Sequence, residues 1–183
     1  MDSPLFCSSC RRLYPADGLS FFELLGVDAA YDIDPREVRG KYLELVRTIH
    51  PDHLTPEGSE AEHLSMRVSA RMNQAFRVLL DPVLRAEYLL ELAGGKSAAD
   101  DRQVPRDVLA KALTLREELE EAKAEADEKG LERVRREIQS RFDAALQAAA
   151  ELARKLPGTE QTRADLRGEL NAIRYYRKIR EQL

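Results

Sequence analysis

The stretch that decides the fold is "DPREVRGKYLELVRTIHPD", Asp34 to Asp52. Asp34 is a good N-cap residue and Pro35 suits the first helical position, so a helix is predicted to begin here. Apolar residues recur at the spacing of one helix face, and three arginines lie on another face. The apolar set is Val38, Tyr42, Leu45, Val46 and Ile49, and the basic set is Arg36, Arg39 and Arg47. Pro51 ends the helix, which leaves His50, Pro51 and Asp52 on an exposed corner.

The rest of the chain is also predicted to be helical. A short helix closed by Gly26 comes before this stretch, a long helix to about Leu80 follows it, and a shorter helix starts at Pro82. Pro105 begins a second block, with breaks at Gly130 and at "LPG" (156–158). We therefore predict an all-α fold with four parts. They are an N-terminal segment at 1–18, a four-helix domain at 19–93, a hydrophilic linker at 94–104, and an antiparallel three-helix bundle at 105–183, with helices at about 105–129, 131–156 and 160–182.

Composition restricts the class of protein. The chain has 183 residues, 43% apolar and 34% charged, with a formal net charge of −4 and a pI of about 5.6. A general nucleic-acid-binding protein is more often basic, so we expect no nucleic-acid partner. No apolar run approaches the roughly 20 residues that span a bilayer, and the N-terminal "MDSPLF" lacks the features of a signal peptide. We therefore expect a cytoplasmic protein without a membrane partner.

The corner formed by His50, Pro51 and Asp52 has three interpretations. A hydrolytic site is disfavoured because no Ser or Cys nucleophile is near in sequence. A metal site is disfavoured because an open turn, even with His53, provides no closed coordination shell. Taken as a tripeptide alone, it is best explained as an ordinary helix stop. The third interpretation is a docking tip for another protein.

The order of the motifs resembles the J-domain of DnaJ-type co-chaperones. The motifs are "FFELLG" (21–26), "VRGKYLELVRTIHPD" (38–52) and "MNQAFRVLLDPVLRAEY" (72–88). The resemblance implies that the His-Pro-Asp tip and the basic helix face bind a DnaK-type chaperone and trigger its ATP hydrolysis. The residues concerned are His50, Pro51, Asp52, Arg36, Arg39 and Arg47. A rigid tip loses little entropy on docking, and the arginines would steer it to an acidic surface. His53 departs from the pattern, in which a Lys or Arg follows the tip.

From about Leu19 to Leu183 the chain resembles HscB, the J-protein of iron–sulfur cluster assembly. The segments "DPVLRAEYLLELAG" (81–94) and "LTLREELEE" (113–121) carry this resemblance. It implies a C-terminal bundle that binds an iron–sulfur scaffold protein of the IscU type and delivers it to a DnaK/HscA-type chaperone.

The helix from Pro105 has two leucines outside its predicted core stripe of Val108, Ala112, Leu115, Leu119, Ala122 and Ala126. Leu109 and Leu113 fall some 100–140° from Val108, with several glutamates nearby. They form either a partner site or the edge of a wider buried face. The resemblance implies scaffold contacts at Leu109, Ala110, Leu113, Glu117, Glu121 and Tyr175. Ala110 departs from the family pattern because a larger apolar residue is expected there, and Thr114 departs because it stands where an acid can occur.

Cys7 and Cys10 form a single C-x-x-C, which supplies half of a four-ligand zinc site. The block "LFCSSCRRLYP" (5–15) resembles the second knuckle of a four-cysteine module that precedes the J-domain in some HscB homologues. Three explanations stay open: a first knuckle upstream, a decayed site, or a metal shared by two chains. A zinc ion would need further ligands besides Cys7 and Cys10, so the sequence does not establish a cofactor.

These observations predict a co-chaperone that activates a partner's ATPase and is not itself an enzyme. One alternative is a J-domain adaptor for a different client protein. Another is a cysteine-based metal or redox protein with a helical body.

Overall fold

The computed structural model describes residues 5–7, 12–49 and 59–181. In these ranges the chain forms seven α-helices and one isolated antiparallel bridge between Phe6 and Leu13. The helices are α1 (Phe21–Leu25), α2 (Pro35–Ile49), α3 (Ser59–Leu80), α4 (Pro82–Leu92), α5 (Arg106–Ala124), α6 (Glu128–Ala153) and α7 (Glu160–Arg180). The predicted all-α fold is therefore confirmed.

By its contacts the chain divides into two compact units, Met1–Arg85 and Ala86–Leu183, and the division falls inside α4. The domain limits drawn from the sequence, 19–93 and 105–183, stay predictions.

In the first unit, local sequence signals set the helix ends. Ser20 and Glu23 form a capping box at the start of α1, and Gly26 closes this helix with a φ of +65°. A left-handed conformation of this kind favours glycine, which has no Cβ. At the start of α2, the backbone N–H of Arg36 donates to Oδ1 of Asp34 at 2.8 Å. The caps predicted at Gly26 and Asp34 are therefore present.

The core of the first unit lies among α1, α2 and α3. Its buried side chains on these helices are Phe21, Phe22, Leu24 and Leu25 from α1, Val38, Leu45 and Ile49 from α2, and Val68, Met72, Ala75 and Leu79 from α3. Val46 was predicted on the same apolar face but is 38% exposed. It lies about 80° from Val38 around the helix, at the edge of the buried arc.

The second unit contains the three-helix bundle, in which α6 packs extensively on α7 and α5 packs mainly on α6. The buried side chains of α5 are Ala112, Leu115, Leu119 and Ala122, and those of α6 include Val134, Ile138, Phe142, Ala145 and Ala149. Val108, predicted in the α5 core stripe, is only half-buried. The first helix of the bundle therefore buries a shorter stripe than its sequence predicts.

The turn between α5 and α6 corrects two predictions. Ala126, predicted in the core stripe, lies in this turn, is exposed, and has a φ of +53°. Gly130, predicted to break the helix, is buried inside the first turns of α6. A Cβ on Gly130 would lie 3.2 Å from the Cβ of Ala122 and would collide with Oδ2 of Asp127. Glycine at this position therefore permits close packing of the two helices and does not end one.

Polar side chains of α7 hold α4 and the segment that follows it. Arg167 is 3% exposed, and its Nη1 and Nη2 donate to the two carboxylate oxygens of Glu87 at 2.6 and 2.7 Å. Asn171 donates through Nδ2 to the backbone carbonyls of Asp101 and Gln103 at 3.2 and 2.9 Å. The segment predicted as a hydrophilic linker is thus hydrogen-bonded to the bundle.

Candidate functional site

The first candidate surface is the basic face of α2, which carries Arg36, Arg39 and Arg47. All three side chains are exposed. The opposite face of α2 is buried by the apolar residues of the core, so helix periodicity directs the arginines to solvent. The predicted grouping of the three arginines on one face is consistent with these positions.

Arg39 is held by aromatic contacts across the first unit. Its Cζ lies 5.9 Å from the ring centroid of Phe76, a cation–π distance. Phe76 stacks on Tyr42 with centroids 4.1 Å apart, and the Tyr42 hydroxyl donates to Oδ1 of Asn73 at 2.6 Å. The guanidinium of Arg39 therefore makes a surface contact with Phe76 that the sequence did not reveal.

The predicted tip residues His50, Pro51 and Asp52 lie outside the described residues, as does His53. They belong to the segment between the end of α2 at Ile49 and the start of α3 at Ser59. Their role in chaperone docking therefore stays a prediction.

The second candidate surface is a ladder on α5, formed by Leu109, Leu113, Glu117 and Glu121, which follow one another at four-residue spacing. Side chains at this spacing are neighbours on a helix. Leu109 is 38% exposed and Leu113 is 47% exposed. Both glutamates are exposed too, as is Ala110 beside the ladder. The two leucines therefore lie outside the buried stripe, which favours the partner-site interpretation over a wider buried face.

Tyr175 was the sixth residue predicted to contact the scaffold. It is half-buried on α7 and precedes Tyr176, which is 3% exposed. Its participation in a surface with the α5 ladder stays a prediction.

Carboxylates gather where α7 passes the first turn of α5. Burial raises the pKa of Glu169 above its ordinary value of 4.5, and the nearby charges of Asp107 and Asp165 raise it further. Burial also raises the pKa of the Tyr176 hydroxyl from 10.0, although Arg141 acts in the opposite direction. We did not single out Glu169 from the sequence. Its helix position between Leu166 and Ile173 was the signal that could have found it, because residues three and four apart share a face.

Cys7 lies beside an isolated antiparallel bridge at the beginning of the described chain. Phe6 pairs with Leu13, and the backbone N–H of Cys7 donates to the carbonyl of Arg12 at 3.0 Å. Cys10 lies outside the described residues. No group of three or more His, Cys, Asp or Glu side chains within 5–7, 12–49 and 59–181 is arranged to hold a metal ion. Zinc at Cys7 and Cys10 therefore stays a prediction that requires additional ligands.

No helix in the described ranges combines the length and the apolar composition that crossing a membrane requires.

Comparisons with known proteins agree with this architecture. Residues 104–183 match the family described as HSCB C-terminal oligomerisation domain. The crystal structure of human co-chaperone protein HscB is similar with a TM-score of 0.80 and 22% identity, covering 100% of this chain and 89% of that one. Chaperone HscB from Vibrio cholerae is similar with a TM-score of 0.69 and 24% identity, covering 90% of this chain and 94% of that one. The chain therefore has the fold of these HscB structures, and its residues 104–183 match the HSCB C-terminal domain.

Proposed function

We propose that this protein is a co-chaperone of iron–sulfur cluster assembly. It binds a scaffold protein of the IscU type through its C-terminal bundle and a DnaK/HscA-type chaperone through its J-domain, and it stimulates ATP hydrolysis by that chaperone. The match to the HSCB C-terminal domain and the HscB fold support this role. ATP hydrolysis takes place in the chaperone, so this chain contributes binding surfaces and no catalytic groups.

The observation that carries the proposal is the exposed ladder on α5. Leu109 and Leu113 are the most exposed large apolar side chains in the described residues of the HSCB C-terminal domain. Adjacent exposed leucines followed by Glu117 and Glu121 form a small apolar patch with an acidic edge. A patch of this kind suits a partner with an apolar spot and basic residues beside it.

Binding of both partners to one chain gives a physical reason for the activity. When the scaffold and the chaperone are bound to the same molecule, their encounter becomes intramolecular and their effective concentration rises. The J-domain then triggers hydrolysis while the client is present, which couples the ATPase cycle to the scaffold.

Titration calorimetry against the IscU-type scaffold from the same organism tests the client. We expect micromolar binding by the wild-type protein. The double change Leu109→Ala/Leu113→Ala should weaken it about a hundredfold, because each interface anchor contributes roughly 1–2 kcal/mol. Leu92→Ala is the matched control, since Leu92 is 51% exposed and lies on α4. Unchanged binding by the double variant, or an equal loss in the control, would contradict the assignment of the ladder.

The ATPase rate of the DnaK-type chaperone tests the trigger. His50→Gln should abolish the stimulation and leave the helix content unchanged. His63→Gln is the matched control, because His63 is an exposed histidine on α3 outside the tip. Stimulation that survives the His50 change would refute the docking role of the tip.

A further inference from the structure

An exposed leucine lies in the middle of the basic face of α2. Leu43 is 52% exposed. At about 100° per residue it falls within roughly 40° of each of Arg36, Arg39 and Arg47. Arg39 and Arg47 lie four residues to either side, about 6 Å away along the helix axis. Leu43 is therefore surrounded by positive charge. Helix periodicity places it there, and it is not part of the core.

The charges around Leu43 are available for a partner. Arg39 lies over the Phe76 ring, and this contact reduces the side-chain entropy that Arg39 loses when it binds. Within residues 5–7, 12–49 and 59–181, no ion pair neutralises Arg36 or Arg47. The rim of this surface therefore consists of one guanidinium over an aromatic ring and two others that have no ion-pair partner within those ranges.

A single exposed leucine is common on protein surfaces and needs no explanation by itself. Here a second exposed apolar side chain adjoins it, because Val46 follows three residues later and is 38% exposed. Leu43 thus lies among the three arginines, and Val46 extends its apolar surface past Arg39 toward the edge of the buried arc. This arrangement of an apolar centre and a charged rim matches the anatomy of protein interfaces, in which the centre is dehydrated and the rim stays wet.

We propose that Leu43 is the apolar anchor of chaperone docking, and that it inserts into an apolar depression bordered by carboxylates on the DnaK-type partner. This inference rests on the proposed function and adds the chemistry of the partner surface. It also separates the roles of the side chains. The arginines accelerate association through long-range attraction, whereas Leu43 slows dissociation through short-range burial.

Association and dissociation rates with the organism's DnaK-type chaperone in its ATP-bound form test the proposal at several salt concentrations. Leu43→Gln should raise the dissociation rate about tenfold, as for a central interface anchor. It should leave the association rate and its salt dependence unchanged. Arg36→Gln/Arg47→Gln should instead lower the association rate and flatten its salt dependence.

The control is Leu92→Gln, which removes an equally exposed leucine from α4 and should bind as the wild type does. Glutamine has nearly the helix propensity of leucine, so neither variant should change thermal unfolding. Wild-type dissociation by Leu43→Gln, or an equal effect of Leu92→Gln, would overturn the inference while the proposed function stands. A change confined to the salt-dependent association rate would also overturn it. Absence of any chaperone binding by the wild-type protein would overturn both.

Discussion

Replacing Glu87 with glutamine tests the buried ion pair that joins α4 to α7. The Glu87 side chain is 15% exposed and accepts from Arg167 through both oxygens, while Nη2 of Arg174 lies 2.7 Å from Oε1. Every partner of the Glu87 carboxylate is a hydrogen-bond donor. The amide of the glutamine variant must therefore direct its own N–H groups at a guanidinium. Arg167 is 3% exposed and would keep a buried, poorly compensated charge.

Breaking a buried pair by removing one partner costs about 3–5 kcal/mol. Glutamine still offers one acceptor oxygen, so we expect a loss of about 3 kcal/mol, which is a large part of the 5–15 kcal/mol that stabilises a typical domain. The contribution of Arg174 is small because its side chain is 45% exposed.

Equilibrium urea unfolding followed by circular dichroism measures this loss. Glu137→Gln is the matched control, because Glu137 pairs with Arg141 at 2.9 Å on the surface, where both side chains are more than a third exposed. We expect the control to lose less than about 0.5 kcal/mol. A loss below about 1 kcal/mol for Glu87→Gln would show that solvent screens the pair and would refute the reasoning.

Three further predictions concern the second unit. Leu113→Ala should change the melting temperature little. Leu115 is 1% exposed, so Leu115→Ala should lower the free energy of unfolding by about 2–5 kcal/mol. Equal losses for the two variants would place Leu113 in the core. Glu169→Gln should raise the melting temperature near neutral pH. Because the pKa of Glu169 is raised, the folded protein binds more protons than the unfolded chain once the pH rises above 4.5, so the wild-type protein loses stability there. The stability gained by Glu169→Gln should therefore vanish below pH 4.5. A gain that is independent of pH would contradict this cause. Ala126→Gly should stabilise the protein by about 0.5 kcal/mol, because removing the strain of an alanine in the left-handed conformation outweighs the conformational entropy that glycine loses on folding. Urea unfolding measures this change. A lower free energy of unfolding for the variant would show that the turn is unstrained.

Most of the helices followed from local patterns in the sequence. Asp34 and Gly26 act within a few residues of their own positions, so their effect does not depend on the rest of the fold. The same holds for the exposure of Leu109 and Leu113, which is set by their angle to the buried stripe of α5. Patterns of this kind also predicted the basic face of α2.

Other predictions failed where packing between helices overrides a local preference. Glycine usually marks a helix end, yet Gly130 is buried in α6 because Ala122 of α5 approaches it closely. Alanine is the best helix former, yet Ala126 adopts a left-handed conformation in the turn that brings α6 back onto α5. Val46 has the polarity of a core residue, but it lies at the edge of the buried arc of α2 and is 38% exposed.

By itself, the sequence determined the helical class, the helix caps and the faces of α2 and α5, because these depend on interactions within one or two helical turns. Only the tertiary structure decided which polar residues are buried. Glu87 and Arg167 are 80 residues apart, and Asn171 is 68 residues from its partner Gln103. Nothing in the local pattern separates these residues from solvated charges, since a polar side chain is buried only where another part of the chain supplies the matching hydrogen bond.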